Sequence, residues 1–168
     1  MTRTAVDVYV SAGSNIDPER HLRAACLRLD EKFGPLSLSS VYRTKAVGFD
    51  GDDFLNLVVA FSTDLDVHAV KSYLDDTETL AGRARSAGSF SPRTLDLDLL
   101  LYGAEIIDEP AVRVPRADIL KYAFVLAPIA ELAPDLRHPV DGRTMRELWS
   151  AFDNDEGIRR LAEPLLEC

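Results

Sequence analysis

The chain is short of the residues that build soft-metal sites. Its 168 residues include two cysteines, Cys26 and Cys168, and three histidines, His21, His68 and His138. None stands at a zinc-ligand spacing, so zinc is not expected. Apolar runs are too short to span a bilayer, and Met1-Thr2-Arg3-Thr4-Ala5 leads straight into a strand pattern. A cytoplasmic protein without a leader or membrane partner is therefore expected. Basic residues are also scarce: 19 Lys and Arg face 28 Asp and Glu, a net charge of −9. That balance argues against a nucleic-acid binder, whose affinity rests on a basic footprint. No G-x-x-x-x-G-K-[ST] occurs, and Gly82-Arg83-Ala84-Arg85 holds too few glycines for a kinase lid, so no Walker cradle is available. Internal repeats and low-complexity linkers are absent too.

What is there suits a single globular domain over 1–168, with 155–168 as an acidic tail and a monomer expected. Hydrophobic residues make up 46% and charged residues 28%, ordinary values for a chain with a proper core. Val6, Val8 and Val10 alternate with polar residues and predict a strand. Asp17-Pro18 then reads as N-cap and first turn of a helix with an apolar stripe of Leu22, Ala25, Cys26, Leu29 and Phe33, stopped at Gly34-Pro35. A second strand is expected at about 36–42. Phe54 to Phe61 reads as a central strand, in which the Asn56 amide needs partners. Asp66 caps a second helix to about Leu80, with Val67, Val70, Leu74 and Ala81 in phase.

The most informative stretch is Ser91 to Gly103. Leucines at 95, 97, 99 and 101 have strand period and predict one buried face, with Asp96 and Asp98 together on the other. Carboxylates two apart on a strand lie roughly 7 Å apart along the backbone. Such a pair can converge on two divalent ions, the geometry of phosphoryl chemistry. A solvated edge strand is the plain alternative, but the acids interrupt a very apolar run beside Arg93. From Thr79 to Leu95 there is no acid, while Arg83, Arg85 and Arg93 all fall there, which suits a small anionic ligand.

Further on, two extended pieces are expected at Glu105–Ile107 and Val112–Val114. A helix is expected from Ala117 to about Leu132 with a kink or local boundary at Pro128, and Thr144-Met145-Arg146-Glu147 is a capping box. The segment 153–168, with five acids and two arginines, is expected to pack loosely. The order β-α-β-β-α-β predicts an α/β fold of the α+β kind: a ferredoxin-like βαββαβ core, a mostly antiparallel sheet, and additional C-terminal helices. Phe54 and Asn56 share a strand face, where a ring could stack a flat heterocycle while the amide reads its edge.

Several stretches in order carry a family resemblance: Ala12-Gly13-Ser14-Asn15, Ser39-Ser40-Val41-Tyr42-Arg43-Thr44, Phe54-Leu55-Asn56, Pro92 to Gly103, Val114-Pro115, Phe124 to Pro128 and Glu131 to Pro134. Over about residues 6–150 the chain resembles 6-hydroxymethyl-7,8-dihydropterin pyrophosphokinase of folate biosynthesis. The resemblance implies transfer of pyrophosphate from ATP to the pterin hydroxymethyl group, giving the pterin diphosphate and AMP. It implies two Mg²⁺ ions on Asp96 and Asp98, with Arg83 and Arg93 on the phosphates. It also implies pterin between Phe54 and Phe124 and hydrogen-bonded by Asn56 and Thr44, with Glu78 near the nucleotide and metal. The chain departs from the family pattern at Arg116 (usually His), Tyr122 (usually Arg), Phe90 (usually Trp) and Ser89 (usually basic). The family's Gln is also missing before Asp52-Asp53-Phe54. Arg116 could restore lost positive charge at the nucleotide, since its reach exceeds that of His. A divergent pterin-binding paralogue without turnover is the second reading.

Overall fold

The structure is a computed structural model, and it describes residues 4–44, 53–82, 95–153 and 157–162. Chain order runs β1 (Val6–Ser14), α1 (Pro18–Phe33), β2 (Ser37–Leu38), β3 (Tyr42–Thr44), β4 (Phe54–Thr63), α2 (Val67–Leu80) and β5 (Asp96–Tyr102). Then come β6 (Ile107–Asp108), β7 (Arg113–Val114), α3 (Asp118–Lys121), α4 (Ala123–Leu132), α5 (Met145–Ser150) and β8 (Arg159–Arg160). The main sheet has the order β5-β1-β4-β3-β8, with β2 also on β4, and its pairs are antiparallel. This is the ferredoxin-like arrangement expected from the βαββαβ order, with the expected second strand broken into β2 and β3. The apolar run of β4 is explained by its central place. Leu55, Leu57, Val59 and Phe61 enter one core, and Val58 enters another on the opposite face.

The first core lies under α1 and α2. Leu22, Ala25, Cys26 and Leu29 of α1, with Val67, Val70 and Leu74 of α2, cover Val8 and Val10 of β1 and Leu97 and Leu99 of β5. Asp66 caps α2 by accepting the Ala69 N–H at 2.8 Å, an interaction worth about 1 kcal/mol. Asp17 does stand at the N-cap of α1, but with φ 46° and no side-chain cap. Burial pushes the Cys26 thiol up to about 12, which keeps it inert. The second core joins Val58, Leu100 and Leu101 to Ile119, Val125, Leu126, Ile129, Met145 and Leu148 from α3, α4 and α5.

Four expectations need correction. Leu101 does not share the face of Leu95, Leu97 and Leu99. The register of β5 on β1 shifts between Tyr9↔Leu101 and Val10↔Leu99, so Leu100 is an inserted residue and the alternation flips beyond it. The apolar segment after Ala117 is two helices that break at Tyr122, whose backbone is extended at φ −123°, ψ 130°, and Pro128 lies inside α4. The capping box opens α5 as expected, Thr144 and Glu147 each accepting the other's backbone N–H. The last segment is not wholly loose: β8 pairs with β3, and the Leu161 N–H donates to the Val41 carbonyl at 2.8 Å. Finally, β5 is an edge strand, as the plain alternative had it, yet its free edge is covered. The Leu97 N–H donates to Glu78 at 2.7 Å, and the Leu100 carbonyl accepts the Arg116 N–H at 3.0 Å. Among the described residues no helix is long and apolar enough to cross a membrane.

Candidate active site

Residues opposite one another in adjacent strands share a face of the sheet. Register therefore sets one row across four strands: Asp96 of β5, Gly13 of β1, Asn56 of β4 and Tyr42 of β3. The next row holds Asp98, Ser11 and Val58. Both rows lie on the face away from α1 and α2. From ordinary strand spacing, Asp96 and Asn56 stand roughly 10 Å apart, two strands removed. The position between them is a glycine for a steric reason. A Cβ on Gly13 would meet Asn56 Oδ1 at 2.8 Å, so only a bare backbone leaves room for the Asn56 carboxamide.

The expected neighbours of Asn56 are present. Asn56 is 5% exposed, and its Nδ2 donates to Thr44 Oγ1 at 3.1 Å. Phe54 stands opposite Thr44 in the β3–β4 register and keeps the face of Asn56 by strand alternation. Phe124, in the first turn of α4, borders the second core, on the same side of the sheet, and stacks on Tyr122 with centroids 5.1 Å apart and planes 23° apart. Tyr122 thus extends an aromatic wall rather than adding a cation.

At the carboxylate end, Asp98 remains 38% exposed at its side chain, and Arg116 Nη2 lies 3.6 Å from Asp98 Oδ1. Arg116 Nε is 3.2 Å from Asp118 Oδ2, but the N–H is not aimed at it; that buried nitrogen has no hydrogen-bond partner among the described residues. Desolvation raises the Asp98 carboxyl above its usual range. Arg116 opposes this, Asp96 and Asp118 add to it, and Lys71 opposes it. Crowded carboxylates of this kind want a cation between them. Glu78, 5% exposed on α2, accepts the Leu97 N–H and so fixes the backbone between Asp96 and Asp98 from the opposite side. A cavity of about 310 Å³ opens beside Asp98, lined also by Lys71, Pro110, Arg113 and Arg116.

Arg83 and Arg93 fall outside the described residues, as do Ser89 and Phe90. The structure sets Asp96 and Asn56 in one row of the sheet with Thr44 bonded to Asn56, joins Asp98 to Arg116, and sets Glu78 behind the strand. Reading the residues alone missed the clearance at Gly13, the cationic cavity beside Asp98, and the stacking of Tyr122. Only the Gly13 position carried a signal, a glycine at the end of an otherwise good strand. Among the described residues no group of three or more His, Cys, Asp or Glu side chains is arranged to hold a metal. Two carboxylates nevertheless fit Mg²⁺, a hard ion that takes one or two such ligands and fills its remaining positions with phosphate oxygens and water.

Comparison with known proteins gives the family and the fold. The family profile described as 7,8-dihydro-6-hydroxymethylpterin-pyrophosphokinase (HPPK) matches residues 9–134. The chain is 40% identical over 158 residues to the 2-amino-4-hydroxy-6-hydroxymethyldihydropteridine pyrophosphokinase of Pseudomonas aeruginosa, covering 92% of this chain and 96% of that protein. It is 34% identical over 155 residues to the Bacillus subtilis protein of the same name, covering 90% and 87%. A crystal structure of Plasmodium falciparum HPPK-DHPS with pterin and p-hydroxybenzoate superposes with a TM-score of 0.73 at 12% identity. That match covers 94% of this chain and 47% of the solved one, so this chain spans about half of it, and the likeness is one of fold.

Proposed function

We infer the workings of this site from the premise that the chain belongs to the 7,8-dihydro-6-hydroxymethylpterin-pyrophosphokinase family. It is accordingly a pyrophosphokinase of folate biosynthesis that acts on a hydroxymethyldihydropterin, and ATP is the co-substrate the family implies. The observation that supports the assignment best is the single row Asp96–Gly13–Asn56, in which a carboxylate suited to metal and an amide suited to a heterocycle stand on either side of a glycine that leaves room for the amide.

In this reading Asn56, oriented by Thr44, reads the edge of the pterin, while Phe54 and Phe124 hold its faces. Asp96 and Asp98 would hold two Mg²⁺ ions, which when bound would neutralise the charge of the phosphate chain. The nucleotide enters the cavity lined by Lys71, Arg113 and Arg116, where the partly exposed Arg116 guanidinium offers donors to a phosphate oxygen. Arg83 and Arg93 complete the phosphate contacts by the resemblance, and Glu78 supports the nucleotide and metal end through the Leu97 backbone. The hydroxymethyl oxygen attacks the β-phosphorus, the bond from that phosphorus to the α,β-bridging oxygen breaks, AMP leaves with the bridging oxygen, and the hydroxyl proton passes to solvent. Such transfer depends on alignment and charge placement more than on covalent help. Residues 1–168 are read as one catalytic unit, tail included, acting as a cytoplasmic monomer on small molecules alone.

The test is AMP release by the purified protein. AMP should appear only with both hydroxymethyldihydropterin and Mg²⁺, and should stop on chelation. No AMP at high enzyme and ATP, with pterin quenching of fluorescence that ATP does not enhance, would instead establish a binding module without turnover.

A further inference from the structure

A second polar cluster lies at the other end of the row, beyond Asn56. Glu131, in the last turn of α4, accepts three hydrogen bonds. Its Oε2 accepts the Ser40 N–H at 2.9 Å and the Ser40 hydroxyl at 2.8 Å, and its Oε1 accepts the Tyr42 hydroxyl at 2.6 Å. Arg160 of β8 closes the group, donating from Nε to Ser40 Oγ at 3.0 Å and standing 3.9 Å from Glu131 Oε1. One carboxylate therefore joins three elements far apart in sequence: α4, the β3 segment and the tail strand. Arg160 also lies beyond residues 9–134, where the family profile matches.

The position of this cluster matters more than its strength. Tyr42 is the β3 partner of Asn56, and Thr44, two residues on, accepts from the Asn56 amide. Phe124 lies seven residues before Glu131, about 10.5 Å along the same helix. Without β8 and Glu131, β3 would be a three-residue edge strand held through β4 alone. We propose that Glu131 is a positioning residue that locks β3 against α4, with Arg160 as its tail-borne partner, and thereby holds Thr44 and Asn56 at the spacing the pterin requires. This rests on the pterin assignment above. Burial alone would raise the Glu131 carboxyl, but the Tyr42 and Ser40 hydrogen bonds and Arg160 outweigh it and hold it below the usual range, as a committed acceptor requires.

The test compares Tyr42→Phe, Glu131→Gln, Arg160→Ala and Arg160→Lys, reading KM for pterin and for ATP separately, kcat, and pterin affinity by fluorescence titration. Loss of a hydrogen bond to a carboxylate at this distance from the ligand should raise pterin KM and Kd about tenfold in Tyr42→Phe and Glu131→Gln. ATP KM should stay within about twofold, since the cation cavity lies at the opposite end of the row. Arg160→Ala should raise pterin KM about threefold, with Arg160→Lys restoring much of it, as befits a half-exposed pair. Unchanged pterin KM in folded Tyr42→Phe would overturn the proposal, and so would an equal rise in both KM values. Should Glu131→Gln fail to fold, Tyr42→Phe decides alone. An Asn56→Ala control separates the two failures. If it binds pterin normally, the pterin assignment falls and the clamp with it; if it loses pterin while Tyr42→Phe does not, only the clamp falls.

Discussion

On the face covered by α1 and α2, β5 contributes Leu97, Leu99 and Tyr102, and β1 contributes Val8, Val10 and Ala12, all buried. On the other face the same strands contribute Asp96, Asp98, Ser11 and Gly13 at one end, and only toward Leu100 and Leu101 do apolar residues return beneath α4 and α5. One side is uniformly closed, whereas the other is closed for half its length and polar for the rest. The lesson is a division of labour within single strands: alternate residues hold the fold, and their immediate neighbours are left polar.

The sharpest way to break that comparison is to change adjacent residues of β5. Asp98→Asn should lower kcat by about a thousandfold or more, through loss of a metal-type ligand, while thermal unfolding shifts by only a few degrees. Leu97→Ala should do the reverse to stability, costing about 2–5 kcal/mol by denaturant titration. A comparable loss of stability in both would erase the distinction between the faces.

Gly13→Ala tests the seat of the Asn56 amide. Its new methyl must displace the Asn56 carboxamide oxygen, which already stands 2.8 Å from that point. A rise of about tenfold in pterin KM with a destabilisation of about 1–2 kcal/mol is expected. An unchanged KM would mean that Asn56 does not touch the ligand.

The smallest effect is the pH dependence of the clamp at the far end of the polar row. The folded-state carboxyl of Glu131 sits below its unfolded value, so its stabilisation is complete above the ordinary glutamate range and is lost as pH falls through the depressed value. Glu131→Gln should therefore flatten the loss of melting temperature between about pH 5 and pH 3 relative to the parent chain. Parallel acid curves would count against it.

Much of the site could be read from single residues because period 2 is a local rule. The alternation around Asp96 and Asp98, the shared face of Phe54 and Asn56, and the capping residues Asp66 and Thr144 all depend on near neighbours in the chain. The inserted Leu100 could not be read, since four consecutive apolar positions suit either face and only the register against β1 chooses. The break at Tyr122 was hidden likewise: Pro128 looks like the interruption, yet it lies in the middle of α4 without ending it, and the chain leaves the helical conformation at Tyr122 instead.

The sequence by itself determined the antiparallel βαββαβ order, the buried stripes of both helices and the identity of the paired carboxylates. These follow from backbone geometry and side-chain period, which act over a few residues. Only the tertiary structure decided that Gly13 lies between Asp96 and Asn56, that Glu78 and Arg116 close the edge of β5, and that a tail arginine reaches Glu131 across 29 positions of chain. Those are relations between strands and helices, set by which edges pair and which surfaces need covering, and no local pattern of residues encodes them.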